Sequence, residues 1–429
     1  MSAQRQDGES ATGPARLSYL DGLRGIACLQ VVVLHILSSY FPTFAEDKGV
    51  ASIGGRIHQS PLFILYNGWA AVFVFFILSG YVLTRSFERH SGNAINLIEA
   101  RIARLWIPTF VFGIFSAAMY FAFGRSHVEL GSWNHAGLLN CCWHIDRQAS
   151  SILRELIVTP VFVGYQNSPI ASIFPFLLPY LGSSGGALNS PVWTMSVELQ
   201  GALLTLAFVA LRQRHFFFWF LALLGTLAFF PVFACFAVGH LAAVSNLGEK
   251  APLIKGRLSF LAISAIILCG WYFSSFEGKP AYLFVGTSMM FFGVTQSTTI
   301  RSVLAKPLFQ MLGHRSFTIY LVHWAVVLGF GSWVIVSLQP ALDWHLSRLI
   351  IAPIVLFVIV ALSGHLTLID DFAVDLSRRV KRGDHRFAII DAIRFNFEEW
   401  RQSLIGRFRG GQVNNLSAVD ERHQSNNAA

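Results

Sequence analysis

Long apolar runs separated by short basic or polar connections organise this chain. The first run covers 26–41, where Pro42 follows, and two more cover 69–87 and 105–123. A long loop at 124–192 comes next, with short apolar stretches at 156–163 and 170–181. Prolines interrupt the second of these, so it reads as interfacial or re-entrant and not as a span. Further apolar runs fall at 195–211, 216–244, 258–276, 281–294, 317–338 and 345–369. Pro231 lies in the middle of the run 216–244, which fits two short helices better than one tilted helix. With that split, the pattern predicts an all-α, polytopic integral membrane protein with about ten transmembrane helices.

Composition agrees with a bilayer environment. Of the 429 residues, 54% are hydrophobic and 13% charged, and mean hydropathy is +0.54. Soluble domains carry about 25% charge. The formal net charge of +9 raises nucleic acid as a partner, so the location of the charges has to decide. With the N-terminus placed in the cytoplasm of the ten-span arrangement, 25 of the 32 Lys and Arg fall on the cytoplasmic side. This is the positive-inside bias. The charge is therefore topological, a nucleic-acid role is not expected, and both termini are expected in the cytoplasm.

The chain divides accordingly. Residues 1–17 read as a disordered cytoplasmic tail without the pattern of a signal peptide. Residues 18–372 form the membrane domain, with 124–192 as a large external loop. Residues 373–429 form a cytoplasmic tail. Within it, Ile390, Ile393, Phe397, Trp400, Leu404 and Phe408 recur at helical spacing, which predicts an amphipathic helix over about 387–408. The sequon at Asn415 lies in that tail, and the five cysteines show no zinc-like spacing. No Walker A loop, dinucleotide glycine pattern, HExxH, nucleophile elbow or metal cluster occurs, so no metal is expected.

Ionisable residues inside spans are costly and so become candidates for function. His35 lies in the first span and Arg24 precedes it by eleven residues. Eleven steps of 100° bring the two side chains to one helix face, roughly 16 Å apart along the axis. An anionic ligand held by Arg24 would then lie below His35; the competing reading is a histidine that hydrogen-bonds another helix. Glu198 begins a span, near Trp193, Thr194 and Ser196. It reads either as a group that orients an acceptor hydroxyl or a histidine, or as a wet rim carboxylate. Tyr320 and His323 share a face of a later span, with structure and site equally open. Ser79 and Gly80 read chiefly as small residues that let another helix approach. Arg85 and Arg89, with Arg101 and Arg104 across a loop, join Arg24 in a basic mouth suited to a phosphorylated ligand. Ordinary positive-inside charge explains each of them singly.

These residues resemble the acyltransferase-3 family of integral membrane acyltransferases, which includes enzymes that O-acetylate bacterial surface polysaccharides. Tyr19-Leu20-Asp21-Gly22-Leu23-Arg24-Gly25 resembles the family's opening, and Arg24 with His35 matches its Arg-x10-His motif. Phe75-Phe76-Ile77-Leu78-Ser79-Gly80-Tyr81 is similar to its second-helix motif. Trp193-Thr194-Met195-Ser196-Val197-Glu198 is similar to its Trp-Ser-x-x-x-Glu segment, with Thr194 in place of serine. The stretch from Leu312 to Trp324 resembles its late-helix motif. One departure is Ile369-Asp370-Asp371-Phe372, which lacks the proline of the family's last-helix segment.

The resemblance implies transfer of an acyl group, often acetyl, from acyl-CoA to a hydroxyl of a sugar, glycan, lipid or secondary metabolite. It makes acyl-CoA a co-substrate and implies no bound cofactor. His35 would take the acceptor proton, Arg24, Arg85 and Arg89 would hold CoA, and Glu198 would position the acceptor beside Trp193, Ser196, Tyr320 and His323. Direct transfer and an acyl-histidine intermediate both remain open. The alternatives are a proton-coupled transporter, suited by a mid-membrane histidine, and a non-catalytic membrane scaffold.

Overall fold

A computed structural model of the chain describes residues 17–383 except 46–51, 90–92, 167, 169–170, 172, 248, 250–258, 276–278 and 340. The expected N-tail, apart from Leu17, and the expected amphipathic helix at 387–408 lie outside the described residues. The described residues are helical, with an isolated bridge joining Tyr165 and Gly182 in the long loop.

The principal helices are α1 (Ser18–Tyr40), α2 (Gly68–Arg89), α3 (Ala94–Phe123), α4 (Trp193–Arg214), α5 (Phe216–Phe229), α6 (Pro231–Val244), α7 (Ser259–Ser274), α8 (Pro280–Gln296), α9 (Pro307–Ala325) and α10 (Trp344–Lys381). A π-helical stretch, Val326–Gly331, carries α9 into Ser332–Leu338. α10 runs on past the expected domain end at 372.

Six helices, and not ten, are long and apolar enough to cross a membrane among the described residues. They are α1, α2, α3, α4 with its leading turn, α9 with its extension, and α10. The expectation of about ten spans is corrected by length. At 1.5 Å per residue, the 14 residues of α5 or α6 reach about 21 Å, against a hydrocarbon core of about 30 Å. α7 and α8, with 16 and 17 residues, also fall short. Apolar composition alone did not separate a crossing helix from a short one. The break at Phe230–Pro231 follows from proline, which has no N–H for a continuous helix and restricts the residue before it.

Small residues set how the helices meet. α2 and α6 cross where a Cβ on Gly239 would meet the Ile77 carbonyl and lie 2.7 Å from the Tyr81 nitrogen. α1 and α9 meet at Gly25 and Gly313; a Cβ on Gly25 would lie 2.7 Å from the Gly313 nitrogen. These two helices run parallel in a steady register. Cys28 Sγ donates to the Ser316 carbonyl (3.1 Å) and His35 touches His323, both 288 residues apart, and Tyr40 Oη donates to the Val327 carbonyl (2.7 Å). The last of these bonds satisfies a carbonyl inside the π-helical stretch, where regular pairing is interrupted.

The loop 124–192 is ordered against the opposite end from the N-termini of α1 and α9. Trp143, fully buried, packs edge-on against Tyr120 and His127 and donates its indole N–H to Leu188 (2.8 Å). Asn134 donates to the Ser39 carbonyl (2.7 Å), and Asn189 to the Leu321 carbonyl (2.7 Å). The last contact brings the loop's end down beside the C-terminal part of α9. Burial pushes the His127 pKa down to about 4, so this loop histidine is neutral at physiological pH.

Candidate functional site

A cavity of about 690 Å³ opens between the N-terminal ends of α1 and α9, the C-terminal ends of α2 and α10, and the start of α3. Its charged lining comprises six arginines and five carboxylates. Four of the arginines are tied to acids. Arg24 pairs with Asp21 at 3.3 Å, Arg85 with Glu249, Arg101 with Glu198, and Arg104 in a forked contact with Asp370. Arg85 also donates to Asn246 Oδ1 (2.7 Å). Arg89 and Arg378 belong to the same lining.

A guanidinium has five N–H donors, and a single carboxylate uses at most two of them. The acids therefore hold the arginines in place against the apolar walls while leaving donors for a further anion. Carboxylate pairing also offsets part of the cost of holding these charges away from bulk water.

The sequence candidates separate into three positions. Arg24, Arg85, Arg89, Glu198 and Tyr320 line the cavity. Glu198 accepts from Ser79 Oγ (2.8 Å) as well as from Arg101, so its carboxylate faces the basic cavity and its partners are an arginine and a serine. At the inner end, the Tyr320 hydroxyl donates to the Pro191 carbonyl (2.6 Å) and lies 2.9 Å from Thr194 Oγ1. The Phe75 ring, 6.2 Å from that of Tyr320, shares this inner wall.

His35 and His323 lie behind Tyr320 and outside the cavity lining. His35 Nδ1 is 2.9 Å from His323 Nε2, with the rings stacked at 5.0 Å and 21°. His323 Nδ1 donates to the Tyr320 carbonyl (2.7 Å). Trp324 stands edge-on to His35, with centroids 5.2 Å apart. His323 is fully buried, whereas His35 is half-buried. The other two candidates lie apart from the cavity lining. Ser196 is fully buried, donates to the Trp193 carbonyl (3.0 Å) and faces Gly164 of the loop. Trp193 packs against Trp69 with centroids 5.5 Å apart.

Several contacts of the site carry no clear signal in the sequence. Asp370, which marks only a missing proline there, anchors Arg104. Arg101 meets Glu198 across 97 positions of chain, a pairing that only the packing of α3 on α4 makes visible. Ser79 combines its packing position with a hydrogen bond to Glu198.

A family model described as an acyltransferase domain, Acyl_transf_3, matches residues 17–364. The O-acetyltransferase PaAT-1 of Phomopsis amygdali is 26% identical over 217 residues, which cover 46% of this chain and 41% of that protein. The similarity thus spans less than half the length of that relative. No solved structure matches the chain.

Proposed function

We propose a reaction for this chain, which belongs to the acyltransferase-3 family of membrane acyltransferases: transfer of an acetyl group from acetyl-CoA to a hydroxyl of a sugar, glycan, lipid or secondary metabolite. Family membership supports an acyl-CoA-type donor in general. The choice of acetyl draws on the name of the relative, an O-acetyltransferase.

The observation that carries this reading is the sequence of groups from the cavity inward. A basic mouth leads to Tyr320, whose carbonyl holds His323, and His323 touches His35. Donor phosphates bind at Arg24, Arg85 and Arg89, and the thioester points inward towards Tyr320. Glu198 holds Arg101 in the wall that the donor passes. His35, behind Tyr320, takes the proton of the acceptor hydroxyl directly or through water as the acceptor oxygen attacks the thioester carbonyl. The C–O bond forms, the C–S bond breaks, and the departing thiolate recovers the proton from His35. Trp193 and Ser196, on the loop side, shape the approach of the acceptor. The basic mouth faces the cytoplasm, where acyl-CoA is made, and this side agrees with the positive-inside bias.

The test compares purified wild type with His35→Ala. Each is incubated with isotope-labelled acetyl-CoA and an extract of the host, and acylated products are identified by mass. Loss of a general base predicts a fall of about 10²–10⁴-fold in product formation, with acetyl-CoA still bound. Product formation at the wild-type rate would remove His35 from the mechanism.

A further inference from the structure

We infer that His323 is a positioning residue that fixes the tautomer of His35, leaving His35 Nε2 as the nitrogen that accepts a proton. The inference rests on the proposal that His35 is the base.

The hydrogen bonds run in one direction. The Tyr320 carbonyl can only accept, so His323 Nδ1 must carry the hydrogen that closes their 2.7 Å contact. A neutral imidazole has one N–H, so His323 Nε2 is then a lone pair. That lone pair faces His35 Nδ1 at 2.9 Å, which places the hydrogen on His35 Nδ1. The second nitrogen of a neutral His35 is therefore unprotonated. Two neutral rings and one carbonyl have a single arrangement of protons that satisfies both contacts.

The consequence is chemical as well as geometric. When His35 Nε2 takes the acceptor proton, the ring becomes an imidazolium whose Nδ1–H already points at an acceptor. The bond to His323 Nε2 becomes charge-assisted at that moment and strengthens. Its gain is greater in the charged transition state than in the ground state, which is the condition for raising kcat. Burial of His323 keeps water from competing for its Nε2. The fully buried side chain of His323 and its backbone anchor on α9 also hold the His35 ring in one orientation. The steady register of α1 and α9 delivers the two rings to the same level.

Two substitutions separate this role from simple packing. In His323→Gln, the amide oxygen can take the place of Nε2 and accept from His35. In His323→Asn, the shorter amide reproduces the Nδ1 side and its bond to the Tyr320 carbonyl, but leaves no acceptor for His35. The measurement is thiol release from acetyl-CoA in the presence of host extract, with kcat and the KM for acetyl-CoA determined separately. Folding of each variant is followed by monodispersity in detergent.

The expected result is that His323→Gln keeps kcat within about tenfold, while His323→Asn loses about 10²–10⁴-fold, the range for a misplaced base. KM for acetyl-CoA should stay unchanged in both. Equal kcat for the two variants, at whatever level, would overturn the positioning role, as would a more active Asn variant. An inactive His35→Ala beside such a result would leave the base intact and remove only His323. A fully active His35→Ala would instead overturn the underlying assignment of the base.

Discussion

Glu198 holds two donors at once, the Ser79 hydroxyl and the Arg101 guanidinium, in a setting where both charged side chains are largely shielded from solvent. Removing one member of such a pair leaves the other charge uncompensated, which costs about 3–5 kcal/mol. Glu198→Ala should therefore lower the melting temperature in detergent markedly. The double variant Arg101→Met, Glu198→Leu should recover most of that loss, because it removes both charges together. A double-mutant cycle measures the coupling, and additive losses would show that the pair does not act as a unit. Part of this site is legible from residues alone. Arg24 and His35 share a face because eleven residues make three whole turns plus about 20°, so their alignment needs no tertiary information. The partners of the charged groups are a different matter. His323 lies 288 positions from His35 and Asp370 lies 266 from Arg104, and only the crossing of helices joins them.

At the scale of elements, helix contacts depend on places where a side chain is absent. Gly239→Ala would drive a methyl into the backbone of α2, at the Ile77 carbonyl and the Tyr81 nitrogen. Overpacking of this kind costs about 1–3 kcal/mol, so the variant should yield less monodisperse protein and unfold at lower temperature. Gly225→Ala is the control, since nothing lies within 4 Å of its added methyl. It should be neutral or slightly stabilising, as alanine favours a helix over glycine by about 1 kcal/mol. Equal behaviour of the two variants would mean that this crossing is not closely packed. Apolar runs mark the helices well, and Pro231 marks the break within one of them. They miss the helices' reach, because apolarity along 216–244 or 281–294 reports what surrounds a segment and not how far it extends. Asp343 shows how local chemistry refines a boundary: its carboxylate accepts from the His345 and Leu346 amides and starts α10.

The whole molecule has two unlike ends. One gathers the arginines of α1, α2, α3 and α10 around the cavity, and the other is covered by the loop 124–192. Single cysteines, placed by Arg382→Cys and Ser150→Cys in a background without the native thiols, should react with an impermeant maleimide from opposite faces of a sealed membrane. Arg382→Cys is expected on the cytoplasmic face, and labelling of both sites from one face would overturn this orientation. The helix α1 also acts as a gauge. It holds the arginine at the mouth and the histidine about 16 Å apart along one axis, and the register with α9 keeps His35 level with His323. On the proposed reading, with Arg24 on the anionic handle and His35 at the reacting carbonyl, a donor must carry the two far apart on a long arm. An acyl phosphate, whose phosphate adjoins the carbonyl, cannot touch both ends of such a gauge. A thioester at the tip of an extended phosphorylated carrier can, so on that reading donor choice is a matter of arm length before it is one of acyl chemistry.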